Sequence, residues 1–67
     1  MILFKERFRE LREEKGIFQS DVAKVLNVSQ KSISNWEMGS RRPDFETLVQ
    51  IAQFFNVTTD YLLGVED

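Results

Sequence analysis

The stretch Gln30-Lys31-Ser32-Ile33-Ser34-Asn35-Trp36-Glu37-Met38 packs amides, hydroxyls and an ammonium into a short run. Wound as a helix at about 100° per residue, it puts Gln30, Lys31, Ser34 and Asn35 within an arc of roughly 140° that also holds Met38. Ile33 and Trp36 turn to the opposite side. A solvated outer face is the plain account, but such faces are usually stocked with Glu, Lys, Arg and Ala, which favour the helix, whereas Ser and Asn weaken it. The arrangement has a use in the major groove of DNA. Gln and Asn can pair bidentately with adenine, Lys donates to guanine O6 and N7, and Ser bonds several base edges. The neighbouring elements must decide between the two accounts.

Composition removes several other chemistries. With no Cys and no His, the chain lacks thiols, disulfides and the commonest zinc ligands, so metal centres and Ser-His or Cys-His nucleophile pairs are not expected. No cofactor is expected either. Carboxylates scattered over helices, without pocket-forming loops, make an enzyme a remote reading. The apolar runs fall far short of the ~20 residues that span a bilayer, and Met1-Ile2-Leu3-Phe4-Lys5-Glu6-Arg7 turns charged too soon for a signal peptide. A soluble cytoplasmic protein is expected, with no membrane partner.

The formal net charge of -2 argues against a polyanionic partner, but its distribution does not. Residues 1–23 are neutral, residues 24–42 carry +3, and residues 43–67 carry -5. Screening limits distant carboxylates to a reach of about 10 Å at moderate salt, so the central basic segment can meet phosphate.

Hydrophobic spacing and punctuation predict an all-α protein, a compact bundle of five short helices in one domain over residues 1–67. Phe4, Phe8 and Leu11 mark one face of a first helix ending before Gly16. A second helix has Val22, Ala23, Val25 and Leu26 inward, with Ile17 and Val22 spaced as a hydrophobic staple. Asn27 makes the turn. Val28-Ser29 then supplies staple and cap for the third helix. Asp44 caps a fourth, whose inner stripe is Phe45, Leu48, Val49, Ala52 and Phe55, and Thr58 caps a fifth that ends at Gly64. Trp36 is expected in the core. Phe54 and Phe55 cannot both be accommodated easily, which leaves partial exposure or a dimer seam with the last helix. Glu10, Glu13 and Glu14 belong to a solvated face turned away from any DNA. Lys15 and Lys24 carry no signal beyond solubility.

From Ile17 to Leu63 the chain resembles the Cro-like and phage-repressor-like helix-turn-helix family, also called the xenobiotic-response-element type. The residues that carry the likeness are Gln19-Ser20-Asp21-Val22-Ala23, the turn Asn27-Val28-Ser29, Ile33, Trp36, Glu37, Gly39, Arg42, Pro43 and Val57-Thr58-Thr59-Asp60-Tyr61-Leu62-Leu63-Gly64. The resemblance implies a lambda-repressor-like domain whose helix-turn-helix unit covers about residues 19–38, with the third helix in the major groove and dimers on two half-sites. Gln30, Lys31, Ser34 and Asn35 would then face base edges. Gln19, Ser29 and Ser32 would hold phosphates at helix starts, with Ser40, Arg41 and Arg42 in a loop along the backbone. Arg12 and Glu37 are implied as an internal pair, which frees Glu37 from facing phosphate. Two positions depart from the family pattern. Asn27 replaces the usual Gly, tolerably, and Phe18 replaces a capping Thr or Ser, a loss that Asp21 offsets in part through the helix dipole.

The expected function is therefore sequence-specific binding of double-stranded DNA by a prokaryotic or phage transcriptional regulator. Repression is the preferred mode, with a homodimer on a pseudo-palindromic operator. The alternative is a protein-interaction module on the same fold, antitoxin- or adaptor-like, which the acidic net charge and aromatic C-terminal half favour.

Overall fold

The computed structural model describes residues 1–66, in which α1 (Phe4–Lys15), α2 (Gln19–Leu26), α3 (Gln30–Met38), α4 (Phe45–Phe55) and α5 (Thr59–Leu63) follow in order. No strand occurs among the described residues. Local chemistry opens the helices. Ser29, Asp44 and Thr58 each accept a backbone N–H from the third residue of their helix, satisfying donors that the first turn leaves without partners. Phe18 has no acceptor with which to do this. Instead the Asp21 carboxylate reaches back to the Phe18 N–H at 2.8 Å, a direct hydrogen bond beyond the dipole effect expected for it.

All five helices close alike. Gly16, Asn27, Gly39, Asn56 and Gly64 take the left-handed conformation, and the next residue donates its N–H to a carbonyl five positions back. That next residue is apolar after α1, α2, α4 and α5, but Ser40 after α3.

The core draws one fully enclosed side chain from each helix: Phe8, Val22, Ile33, Ile51 and Leu62. Val22, Ile33 and Leu62 share the fourth position of their helices, and the preceding staple residues Ile17, Val28 and Val57 pack against the same core. The Phe8 ring meets Trp36 and Phe55 edge-on, each with centroids 6.0 Å away, and stacks on Phe4 at 5.4 Å. The N-terminal segment is tied across the bundle by the Leu3 N–H, which donates to the Leu63 carbonyl at 3.0 Å.

Three apolar residues expected inside lie outside. Val25 is 56% exposed, because α2 is too short to bury two adjoining faces and Val22, Ala23 and Leu26 already fill the inner one. Phe45 and Val49 are likewise exposed, and Ile51 with Ala52 forms the buried centre of α4. The inner face of α4 is made by Leu48, Ile51, Ala52 and Phe55, which leaves Phe45 and Val49 to one side of it. Phe55 faces the core, while Phe54 is half-buried beneath the Lys15 ammonium, 5.4 Å from its ring.

Candidate nucleic-acid interface

Helix α3 is anchored by Ile33 and Trp36 on its inner side, and this fixes which residues remain outside. Gln30 and Lys31 are exposed; Ser34 and Asn35 are half-buried at the edge of the outer face. Met38 is 63% exposed at the far end of the same arc. The side chains of Gln30, Lys31 and Ser34 make no hydrogen bond or ion pair with any described residue, so their donors and acceptors are available to a partner. At the helix start Ser29 Oγ accepts the Ser32 N–H and lies 3.1 Å from Ser32 Oγ, a pairing that holds both hydroxyls near the N-terminus of α3.

The tilt of this face is set by Arg12 and Glu37. Arg12 Nε and Nη2 donate to the two Glu37 carboxylate oxygens, and Arg12 Nη1 donates to the Ile17 carbonyl at 2.9 Å. One cation thus joins α1, the α1–α2 turn and α3. The hydrogen bond to Glu37 is the main influence raising the Arg12 pKa above its ordinary value, and burial opposes it. No buried side-chain nitrogen or oxygen among the described residues lacks a partner, the condition under which a buried ion pair is tolerated.

Gln19 belongs to this cluster as well. Its side-chain amide donates to Glu37 Oε1 at 3.1 Å, locking the start of α2 to α3 and leaving one amide hydrogen for an outside acceptor. Ser40 is similarly engaged, since its hydroxyl turns back to the Asn35 carbonyl at 3.3 Å and to Asn35 Oδ1 at 3.4 Å. These contacts hold the Asn35 side chain against the loop after α3. Arg41 and Arg42 follow, both exposed.

The structure adds two residues to the surface named from sequence. Met38 offers an apolar group beside the polar ones, suited to a thymine methyl, and its place in the helical arc was the available signal. Lys5, from the first turn of α1, crosses Gly39 beside the Arg pair. No local pattern announces that proximity, because it exists only once α1 packs on α3.

A family model described as helix-turn-helix matches residues 8–62. The chain belongs to the helix-turn-helix family. This helix-turn-helix chain is 39% identical over 62 residues to the transcriptional regulator ImmR of Bacillus subtilis, covering 92% of this chain and 49% of that protein. It is 42% identical over 64 residues to the transcriptional activator BcrR of Enterococcus faecalis, covering 96% of this chain and 31% of that one. Among solved structures, the P22 c2 repressor in complex with a synthetic operator superposes with a TM-score of 0.89 at 32% identity, covering 98% of this chain and all of the other. The helix-turn-helix chain thus spans half or less of the length of these two curated regulators but the whole of that repressor chain. No helix among the described residues is long and apolar enough to cross a membrane.

Proposed function

We propose that this protein is a sequence-specific DNA-binding transcriptional regulator that acts in the cytoplasm, binding a pseudo-palindromic operator as a homodimer with α3 in the major groove. The observation that carries this reading is a polar face, most of whose side chains have no partner among the described residues, on a helix braced from behind. The side chains of Gln30, Lys31 and Ser34 have no hydrogen-bond or ion-pair partner among the described residues, and the Arg12–Glu37 pair braces the helix that bears them. Base choice rests on Gln30, Lys31, Ser34 and Asn35. Phosphates are held by Ser29, Ser32 and the free hydrogen of Gln19 at two helix starts, and by Arg41 and Arg42 beyond α3, with Ser40 bracing the loop. Similarity to a repressor solved in complex with a synthetic operator supports operator binding and the repressive mode, since occupation of an operator is a sufficient means of blocking transcription.

Selection from random double-stranded DNA by the purified protein at ~150 mM salt tests this. The expected product is an inverted repeat with half-site centres about one helical turn, roughly 34–36 Å, apart. Recovery of no preferred sequence, from a folded protein, would transfer the polar face of α3 to the antitoxin- or adaptor-like reading.

A further inference from the structure

Helix α3 ends differently from the other helices. After the left-handed residue that closes each of those stands Ile17, Val28, Val57 or Val65, but after Gly39 stands Ser40. An apolar residue at this place commonly packs back on the last turn and stabilises the closure. Ser40 cannot do that. Its hydroxyl instead lies within hydrogen-bond distance of two Asn35 atoms, the carbonyl oxygen at 3.3 Å and Oδ1 at 3.4 Å, and its N–H donates to the same carbonyl at 3.0 Å. The Arg41 N–H reaches that carbonyl as well, at 3.4 Å. The loop after α3 thus closes on one residue of the polar face.

Asn35 is the exception on that face too. The side chains of Gln30, Lys31 and Ser34 have no hydrogen bond or ion pair with a described residue, whereas that of Asn35 has one, from Ser40. An Asn side chain near the end of a helix is free to occupy several rotamers, and a group that is ordered only on binding loses entropy at that moment. A hydroxyl already set against it selects the rotamer before a partner arrives and removes part of that loss. A polar residue where the other helices place an apolar one has its use in this contact rather than in the stability of the helix end.

We propose that Ser40 is a positioning residue for base recognition: its hydroxyl sets the rotamer of the Asn35 side chain, and base preference at the position Asn35 reads depends on it. The inference rests on the regulator reading above and on Asn35 as a base reader. Ser40 contributes to selectivity through Asn35, not to affinity through a phosphate.

The test compares wild type with Ser40→Val, Ser40→Thr, Asn35→Ala and the double variant Asn35→Ala with Ser40→Val. Valine is the residue that follows the closure of α2, α4 and α5, so the melting temperature of Ser40→Val should be no lower than that of wild type, and threonine keeps the hydroxyl. Three-bond couplings about Asn35 χ1 are measured in the DNA-free proteins that retain Asn35. Affinities follow for the selected operator and for its substitutions at the base position that Asn35→Ala relaxes, over a range of salt. Wild type and Ser40→Thr should show one dominant Asn35 rotamer, and Ser40→Val an averaged one. Discrimination at that base position should fall roughly 3- to 10-fold in Ser40→Val, a part of the roughly 5- to 150-fold that a bidentate contact supplies. The salt slope should stay unchanged, and adding Ser40→Val to Asn35→Ala should cause no further fall. Averaged rotamers in wild type, or full discrimination by Ser40→Val where Asn35→Ala has lost it, would overturn the positioning role and leave the regulator reading intact. A shallower salt slope in Ser40→Val would also overturn it, making the hydroxyl a phosphate contact. If wild type selects no preferred sequence, the regulator reading itself fails, and this inference fails with it.

Discussion

Arg12 and Glu37 meet through two parallel hydrogen bonds, Nε to Oε2 at 2.5 Å and Nη2 to Oε1 at 3.0 Å, with only 14% and 6% of their side chains exposed. Such forked pairing fixes orientation as well as distance, which a lysine in place of Arg12 could not reproduce. The helix that presents Gln30, Lys31 and Ser34 therefore takes its angle from a residue on α1.

Removing one partner should expose the value of this arrangement. Glu37→Ala leaves the Arg12 guanidinium largely enclosed and deprives Gln19 of its acceptor, at an expected cost of about 3–5 kcal/mol. Total stability for a chain of this size is roughly 3–10 kcal/mol, so the variant should be close to unfolding at 37 °C. Replacing both residues, Arg12→Met with Glu37→Leu, should recover at least half of the loss in urea melts. If the double variant is instead as unstable as the sum of the two single changes, the pair is not acting as a unit.

Base-reading and phosphate-holding residues should separate in binding assays. Asn35→Ala is expected to lose about 1–3 kcal/mol on the preferred site and to relax one base position. Arg42→Ala should weaken all sequences alike and reduce the salt dependence by about one contact. Uniform weakening by Asn35→Ala would remove that residue from the reading set.

The turn between α2 and α3 gives a backbone prediction. Asn27 is exposed and holds φ 57° and ψ 46°, a conformation that burdens most side chains by about 1–2 kcal/mol. Asn27→Ala should therefore destabilise by about 1 kcal/mol, while Asn27→Gly stays near wild type in thermal melts. Equal losses from both would mean that the Asn27 side chain itself makes the turn.

Acid should loosen α4 through Asp44. Its carboxyl is held below the usual carboxylate range by hydrogen bonds from Thr47, side chain first and backbone second. A lowered folded-state value stabilises the fold at pH values above the ordinary ~3.9, and the benefit disappears as pH falls through the lower value. Asp44→Asn retains a capping oxygen without titrating, so any advantage of wild type over this variant at pH 7 should shrink by pH 3 in urea melts. An advantage independent of pH would assign the capping to geometry alone.

The five helices, their caps and the outer face of α3 were legible in the sequence because each depends on groups within a few residues of one another. Ser29 reaches Ser32, Asp44 reaches Thr47, and Gln30, Lys31, Ser34 and Asn35 share a face wherever that helix is placed. The likeness to helix-turn-helix proteins further implied Arg12 beside Glu37. Burial on α4 was not legible: Phe45, Val49 and Ile51 are comparably apolar, and only the docking of that helix decides that Ile51 is enclosed while Phe45 stays 87% exposed. Gln19 turned toward Glu37, and Lys5 laid across Gly39 beside Arg41 and Arg42, likewise depend on residues distant in the chain. Periodicity specifies which residues share a face and caps specify where that face begins and ends, but which faces meet is decided by packing all five helices around one core.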